Sequence, residues 1–452
     1  MADNFTSYNE ATGRQWGVDM LRYTTGGLAL LYVNLLLGGA AYHFLMQAIQ
    51  PAVPIILERN GISNATIGLI GGTIPSLVSA VVNPIFSFTS DRTRSRFGRR
   101  IPYIAVCAII QSLMLVAMGF SESIGRFCGA HLHFLSQEMW TAGILAVVYL
   151  TLCSANTVGG SVMFYLFPDV VPPKRLGRFM AMFSMTGAAA GFVFSKYFFG
   201  FMGSALPWLF TGTAAAYLLL TLNMCWRVKE GDYPPLPPRP EGNPLVNDVK
   251  KYAGECFSSL FFWCFFICNG LTAASMMCRW LFNVLFAQKE LGLTLERIGE
   301  INAWSMLLAF VVSYPIGMLI DRIHPIRVYS LGIILIIAAN LFGFKMIHSA
   351  DSFLVFSLII ALVYALQNST DIPLTAAIFP KKSYGQFCSA SAMVRSLAIC
   401  CAGYLGGLFI DLMGSYRYLF IWDAAFTTLS LLAMCYVYWH WRKHRSEKEE
   451  EG

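Results

Sequence analysis

Charge is what this sequence has least of. Only 13% of its 452 residues are charged, against about 25% in an ordinary soluble domain. With 56% hydrophobic residues, a soluble chain of this length would leave much apolar surface in water. A cytosolic enzyme, a disordered protein and a secreted disulfide scaffold are all excluded, and lipid becomes the main solvent. The 12 cysteines include no Cys-x-x-Cys pair, which argues against zinc and thioredoxin-like chemistry. They sit mostly in apolar runs and read as small hydrophobes. A Walker-type Gly-Lys-Ser/Thr loop is missing, which disfavours ATP-driven work. The seven scattered histidines form no His-x-x-His or His-Glu pair within an apolar run. No cofactor, no metal and no enzymatic activity are therefore expected. The net charge of +7 comes from sparse basic residues between apolar runs. That pattern fits membrane topology, and no nucleic-acid partner is expected.

What is there in quantity is long apolar runs. A bilayer core needs about 20 such residues per helix. Twelve runs meet this, at roughly 25–49, 66–90, 101–120, 141–166, 178–202, 206–226, 258–286, 299–320, 326–347, 353–378, 387–411 and 416–441. The expected fold is an all-α polytopic membrane protein. The proline-rich stretch 227–257 divides it into an N-terminal half, 1–226, and a C-terminal half, 258–452. The polar start lacks a cleavable signal pattern, so the first span is expected to act as its own insertion signal. Positive residues set orientation. With both termini in the cytoplasm, 23 of the 32 basic residues flank cytoplasmic segments and only five lie in outer loops.

The halves repeat each other. Asn156-Thr157 is followed by Phe167-Pro168, and Asn368-Ser369 by Phe379-Pro380, in the same register 212 residues later. Asp91-Arg92 after the second run is matched by Asp321-Arg322 after the eighth. Two related six-helix halves are the build of a rocking secondary transporter. The densest motif is Asp91-Arg-Thr-Arg-Ser-Arg-Phe-Gly-Arg-Arg100. Its Asp91, Arg92, Arg96, Gly98, Arg99 and Arg100 read as a cytoplasmic ionic latch, with Gly98 permitting a turn. A weaker copy places Gly317 and Asp321 four apart, next to Arg322.

Both copies resemble the loop signature of the major facilitator superfamily. The extended form Ser90–Pro102, with Asn83-Pro84, Leu152–Asn156 and Asp169–Arg178, is similar to the glycoside–pentoside–hexuronide:cation symporters. That branch includes melibiose permease and sucrose-transporter-like proteins. The resemblance implies two pseudo-symmetric six-helix halves and solute transport by alternating access, often of sugar with H⁺ or Na⁺. This chain departs from it by carrying Ser79 and Asn83 where sodium-coupled members keep acids. Cys153 and Phe164 stand where sucrose-transporter-like members keep an acid and an arginine. Arg395 falls where melibiose-type permeases keep a lysine.

Charge inside the membrane is costly and marks function or pairing. Asp371 and Arg395, on consecutive spans, lie about 10 and 12 Å from the cytoplasmic end at 1.5 Å per residue. They are candidates for a switchable coupling pair, the rival being a static ion pair that fixes packing. His43 is a third coupling candidate, because imidazole titrates near neutral pH. Asn34, Asn156, Asn269 and Asn368 offer amides suited to a polyol or a carboxylate, or serve as interhelical glue. Trp304 could stack on a sugar ring. Arg279 could greet a solute or snorkel to the interface. The expectation is a monomeric carrier in the cell membrane, taking a small polar solute, a sugar or glycoside, with H⁺ favoured over Na⁺. The alternative is an uncoupled carrier, or a transporter of another organic solute or an amphiphile such as a lysolipid.

Overall fold

The computed structural model describes residues 8–9, 13–14, 16–18, 21–93, 95, 97–132, 135–231, 254, 256–380 and 384–450. Among them, twelve helices are long and apolar enough to cross a membrane. These are Thr25–Arg59, Asn64–Val82, Ile101–Gly119, Gln137–Val170, Arg175–Phe198, Leu206–Arg227, Leu260–Lys289, Leu295–Ile320, Pro325–Met346, Ala350–Ile378, Gln386–Met413 and Tyr416–Lys443, hereafter the first to twelfth spans. The expected all-α, twelve-span architecture is present. Two hairpins with strands of two or three residues precede the first span, and a short helix, Ser121–His131, follows the third. Most of the proline-rich linker lies outside the described residues.

Local chemistry sets the ends. Thr24, Ser63, Ser136 and Thr294 each accept a hydrogen bond from a backbone N–H in the first turn that follows. Ser349 and Ser352 cap each other reciprocally. Such caps satisfy donors that have no partner within the helix. Several spans run past their expected ends. The first continues through Pro51 and Pro54 to Arg59, and the fourth through Pro168 to Val170. In lipid a broken helix would leave backbone groups unpaired, so a proline is bridged more readily than in water. Single π-helical turns interrupt the second span at Leu69–Thr73 and the fifth at Phe194–Phe198.

By packing, the chain forms two units. One comprises Met1–Gly61 with Val78–Pro237, the other Ile62–Leu77 with Pro238–Gly452. The first unit has an aromatic core in which Phe167 lies 5.0 Å from both Phe179 and Phe183 between ring centroids. The second has a cluster of Phe262, Phe266, Phe379 and Phe387. Large apolar side chains such as Val147, Leu219, Ile372 and Leu412 are exposed. In water that surface would be an association liability; in a bilayer it meets acyl chains.

The first residues of the second span pack in the second unit, against the eleventh span. The Asp411 carboxylate accepts from Asn64 N at 3.1 Å, Asn64 Nδ2 at 2.8 Å and Ala65 N at 2.8 Å. An anion there complements the partial positive charge of a helix N-terminus. Thr73 Oγ1 donates to the Cys400 carbonyl at 2.5 Å and accepts from Tyr404 N at 2.9 Å.

Candidate functional site

The second unit holds a polar pocket among its spans. The tenth span supplies Gln367, Asn368 and Asp371; the first two lie four and three residues before Asp371, so each neighbours it on the helix surface. The seventh contributes Asn269 and Thr272, the ninth Tyr329, and the eleventh Arg395. Arg395 Nη1 lies 3.8 Å from Asp371 Oδ2, and the two side chains are 41% and 37% exposed. This is a long, single-contact and partly exposed pair. A closed structural bridge would be shorter and buried.

Around the pair, some polar groups are satisfied and one is not. Asn269 donates to Ser391 Oγ at 3.4 Å. Thr272 bonds Ser430 at 2.9 Å. Gln367 is 3% exposed, and neither its amide oxygen nor its nitrogen has a hydrogen-bond partner. Its amide neighbours the Tyr329 hydroxyl as a hydrogen-bonding group, but the two fall short of good hydrogen-bond geometry. A buried amide left unpaired costs about 1–3 kcal/mol, which makes Gln367 the atom group in this pocket with most to gain from a ligand.

The structure thus brings four of the expected residues together: Asn269, Asn368, Asp371 and Arg395. Trp304 is half-exposed on the eighth span and does not line this pocket. Asn34, His43 and Asn156 belong to the first unit. Asn34 acts there as interhelical glue. It donates to the Leu30 carbonyl at 2.7 Å and accepts from Asn223 of the sixth span at 3.1 Å. His43 packs its ring 4.9 Å from Phe183, and its Nε2 has no hydrogen-bond partner. Asn156 Oδ1 is likewise unpaired and buried. At Ser79, where the resembled sodium-coupled proteins keep an acid, a neutral hydroxyl pair is found: Ser79 Oγ and Thr157 Oγ1 are 2.8 Å apart.

The latch motif is anchored within the first unit. Arg99 binds Asp169 through two nitrogens, at 2.7 and 3.2 Å. Arg100 reaches Asp169 at 3.3 Å and Ser90 Oγ at 2.7 Å. The Glu230 carboxylate accepts from the backbone N–H groups of Arg99, Arg100 and Ile101 at 2.9, 2.8 and 2.7 Å. It therefore caps the third span. Gly98 sits at φ +102°, and a Cβ there would lie 2.5 Å from the Glu230 carboxyl carbon. Gly98→Ala is accordingly expected to cost about 1–3 kcal/mol from a strained backbone alone, read as a lowered melting temperature of the purified protein. An unchanged melt would show that the turn has another conformation open to it. The side chains of Asp91, Arg92 and Asp321, and the whole of Arg96, lie outside the described residues. Arg322 is exposed, and Gly317 has open space where a Cβ would stand, so no close packing there demands glycine.

Sequence reading missed Gln367, Glu230 and Asp423. Gln367 adjoins a residue singled out by the internal repeat, so its helical face was a usable signal. Glu230 follows the sixth span with no spacing pattern to mark it. Asp423 is a lone acid in an apolar run. It pairs with Arg279, which neither snorkels nor faces a solute; both are buried.

Residues 35–274 and 268–452 match the family model of the Major Facilitator Superfamily. A sucrose transport protein of Oryza sativa subsp. japonica is 31% identical over 136 residues, 29% of this chain and 25% of that protein. The general alpha-glucoside permease of Schizosaccharomyces pombe is 24% identical over 188 residues, 40% of this chain and 32% of the permease. These alignments thus span a third or less of the relatives' lengths. Among solved structures, the D-xylose–proton symporter superposes with a TM-score of 0.64 at 12% identity, covering 91% of this chain and 97% of that one. The nucleoside transporter NupG superposes at 0.66 and 14%, covering 90% and 99%. At these identities the likeness is one of fold.

Proposed function

The chain belongs to the major facilitator superfamily, and from that premise we propose that it carries a sugar or glycoside across the membrane by alternating access, with H⁺ as the coupled ion. The observation that carries this reading is the loose Asp371–Arg395 pair in a polar pocket. A carboxylate held by one long contact can exchange its arginine for a proton or a solute hydroxyl without first breaking a tight bridge. The limited likeness to sucrose and alpha-glucoside carriers supports a hydroxylated solute. Asn269 and Asn368 add amides suited to such a ligand. The latch at 91–100, on the proposed cytoplasmic side, would open and close with the cycle. Both termini would be cytoplasmic and the carrier a monomer in the cell membrane.

Uptake into proteoliposomes, with and without an imposed proton gradient, tests this. Wild-type protein should accumulate sugar only with the gradient. Asp371→Asn should lose at least about tenfold of gradient-driven accumulation while keeping solute exchange, because the site remains but its proton acceptor is gone. Gradient-independent uptake by the wild type would instead establish the second reading, an uncoupled carrier. The neutral Ser79–Thr157 pair favours that rival.

A further inference from the structure

The pocket of the second unit has a back wall that the coupling pair does not explain. Gln367 lies one helical turn before Asp371 and points the same way. Its stem rests over Gly332 of the ninth span, where an added Cβ would be 3.7 Å from Gln367 Cβ. Both amide atoms lack a hydrogen-bond partner while the residue is nearly fully buried. Membrane cores place amides where they bond across helices; the cross-helix neighbour of Gln367 is the Tyr329 hydroxyl, and the two fall short of good hydrogen-bond geometry. A primary amide offers both a donor and an acceptor. Asp371 beside it offers acceptors, and Arg395 offers donors. The complement to that set is a pair of adjacent hydroxyls, each able to donate and accept. A carboxylate would leave the Gln367 oxygen and Asp371 unanswered, and an alkyl group would leave all three.

Resting on the sugar reading above, we infer that Gln367 is a specificity-determining residue that reads, together with Asp371, two neighbouring hydroxyls of the solute. The enclosed space beside Asp371 is about 40 Å³, far below the roughly 300–1,000 Å³ usual for a whole-ligand pocket but above the ~10–15 Å³ that one water needs. It therefore admits hydroxyl groups at one edge of a solute and not a whole ring, and selection acts at that edge. A site built around a substrate hydroxyl rejects the analogue lacking it, because its own buried polar groups are left unpaired. Water filling the pocket would satisfy Gln367 equally well and confer no such rejection.

The test uses full-length protein in detergent, with binding followed by thermal shift and calorimetry. The probes are sucrose, methyl α-D-glucoside and D-xylose, each compared with its monodeoxy analogues. Wild-type protein should bind at least one sugar and reject one of its deoxy analogues by about tenfold or more. Gln367→Leu should weaken the parent sugar about tenfold, leave that analogue nearly unchanged, and so erase the discrimination. It should also melt no lower than wild type without ligand, since an unpaired amide has been replaced by an apolar side chain. Gln367→Glu, which keeps the shape but loses the donor, gives the same comparison if the leucine variant does not fold. If both sugar and analogue weaken in parallel, or discrimination persists in the variants, the assignment of Gln367 is overturned while the sugar reading stands. If no sugar stabilises the wild-type protein, the sugar reading fails and this inference with it.

Discussion

Removing the carboxylate of Asp423 is expected to destabilise the protein more than any change at the polar pocket. Asp423 is fully buried on the twelfth span and Arg279 nearly so on the seventh. Arg279 Nη2 and Nε approach Asp423 Oδ2 at 2.8 and 2.9 Å. Tyr364 donates to the same oxygen at 3.0 Å, and Ser275 and Thr427 donate to the other. Arg279 also bonds Asn340 of the ninth span and lies 5.4 and 5.2 Å from the ring centres of Phe356 and Phe420. Four spans thus meet on one ion pair with its lone pairs and protons largely answered. Breaking such a pair leaves an uncompensated buried charge, at about 3–5 kcal/mol. Asp423→Ala should therefore fall sharply in melting temperature or fail to accumulate. Arg279→Met combined with Asp423→Leu should recover much of the loss, because no charge is then stranded. The double-variant cycle measures the coupling. A double variant as unstable as the single would mean that volume, not charge, dominates the site.

That network also marks where sequence reading ends. The twelve spans were legible because a bilayer demands about 20 apolar residues at each crossing, and the chain supplies them without ambiguity. Span ends were less so: the first and fourth spans, expected to end near 49 and 166, continue through Pro51, Pro54 and Pro168 as unbroken helices. Asp371 and Arg395 could be paired from the sequence because consecutive spans at similar depth constrain each other. Arg279 and Asp423 are 144 residues apart in the chain, on spans whose adjacency depends on how the bundle closes, so nothing local joins them. Glu230 was invisible for a related reason. Its partners are backbone N–H groups at the start of the third span, and every residue but proline carries one.

The packing of the second span was equally hidden, and it yields the second large effect. Gly68 meets Gly403 of the eleventh span backbone to backbone. A Cβ on Gly68 would stand inside van der Waals contact of the Gly403 carbonyl, and one on Gly403 would be 2.6 Å from Thr73 N. Gly407 meets the Asn64 carbonyl in the same way. The atoms in the way are main chain, which cannot rotate aside. Small residues permit such approaches between membrane helices, and overpacking costs about 1–3 kcal/mol or more. Gly68→Leu should therefore pull apart the Asp411 contacts with Asn64 and Ala65 and the Thr73 contacts with Cys400 and Tyr404. The second span is one continuous chain from here into the latch at 91–100, while its later part packs in the first unit. The Gly68–Gly403 contact itself lies within the second unit. The expected result is a clearly lowered melting temperature and transport reduced by about tenfold or more, because the second unit loses this packing. Gly212→Ala is the control. Its Cβ meets nothing within 4 Å, so it should be neutral or stabilising by up to about 1 kcal/mol from helix propensity alone. A wild-type melt and wild-type transport by Gly68→Leu would mean that the fold does not require these backbones to meet.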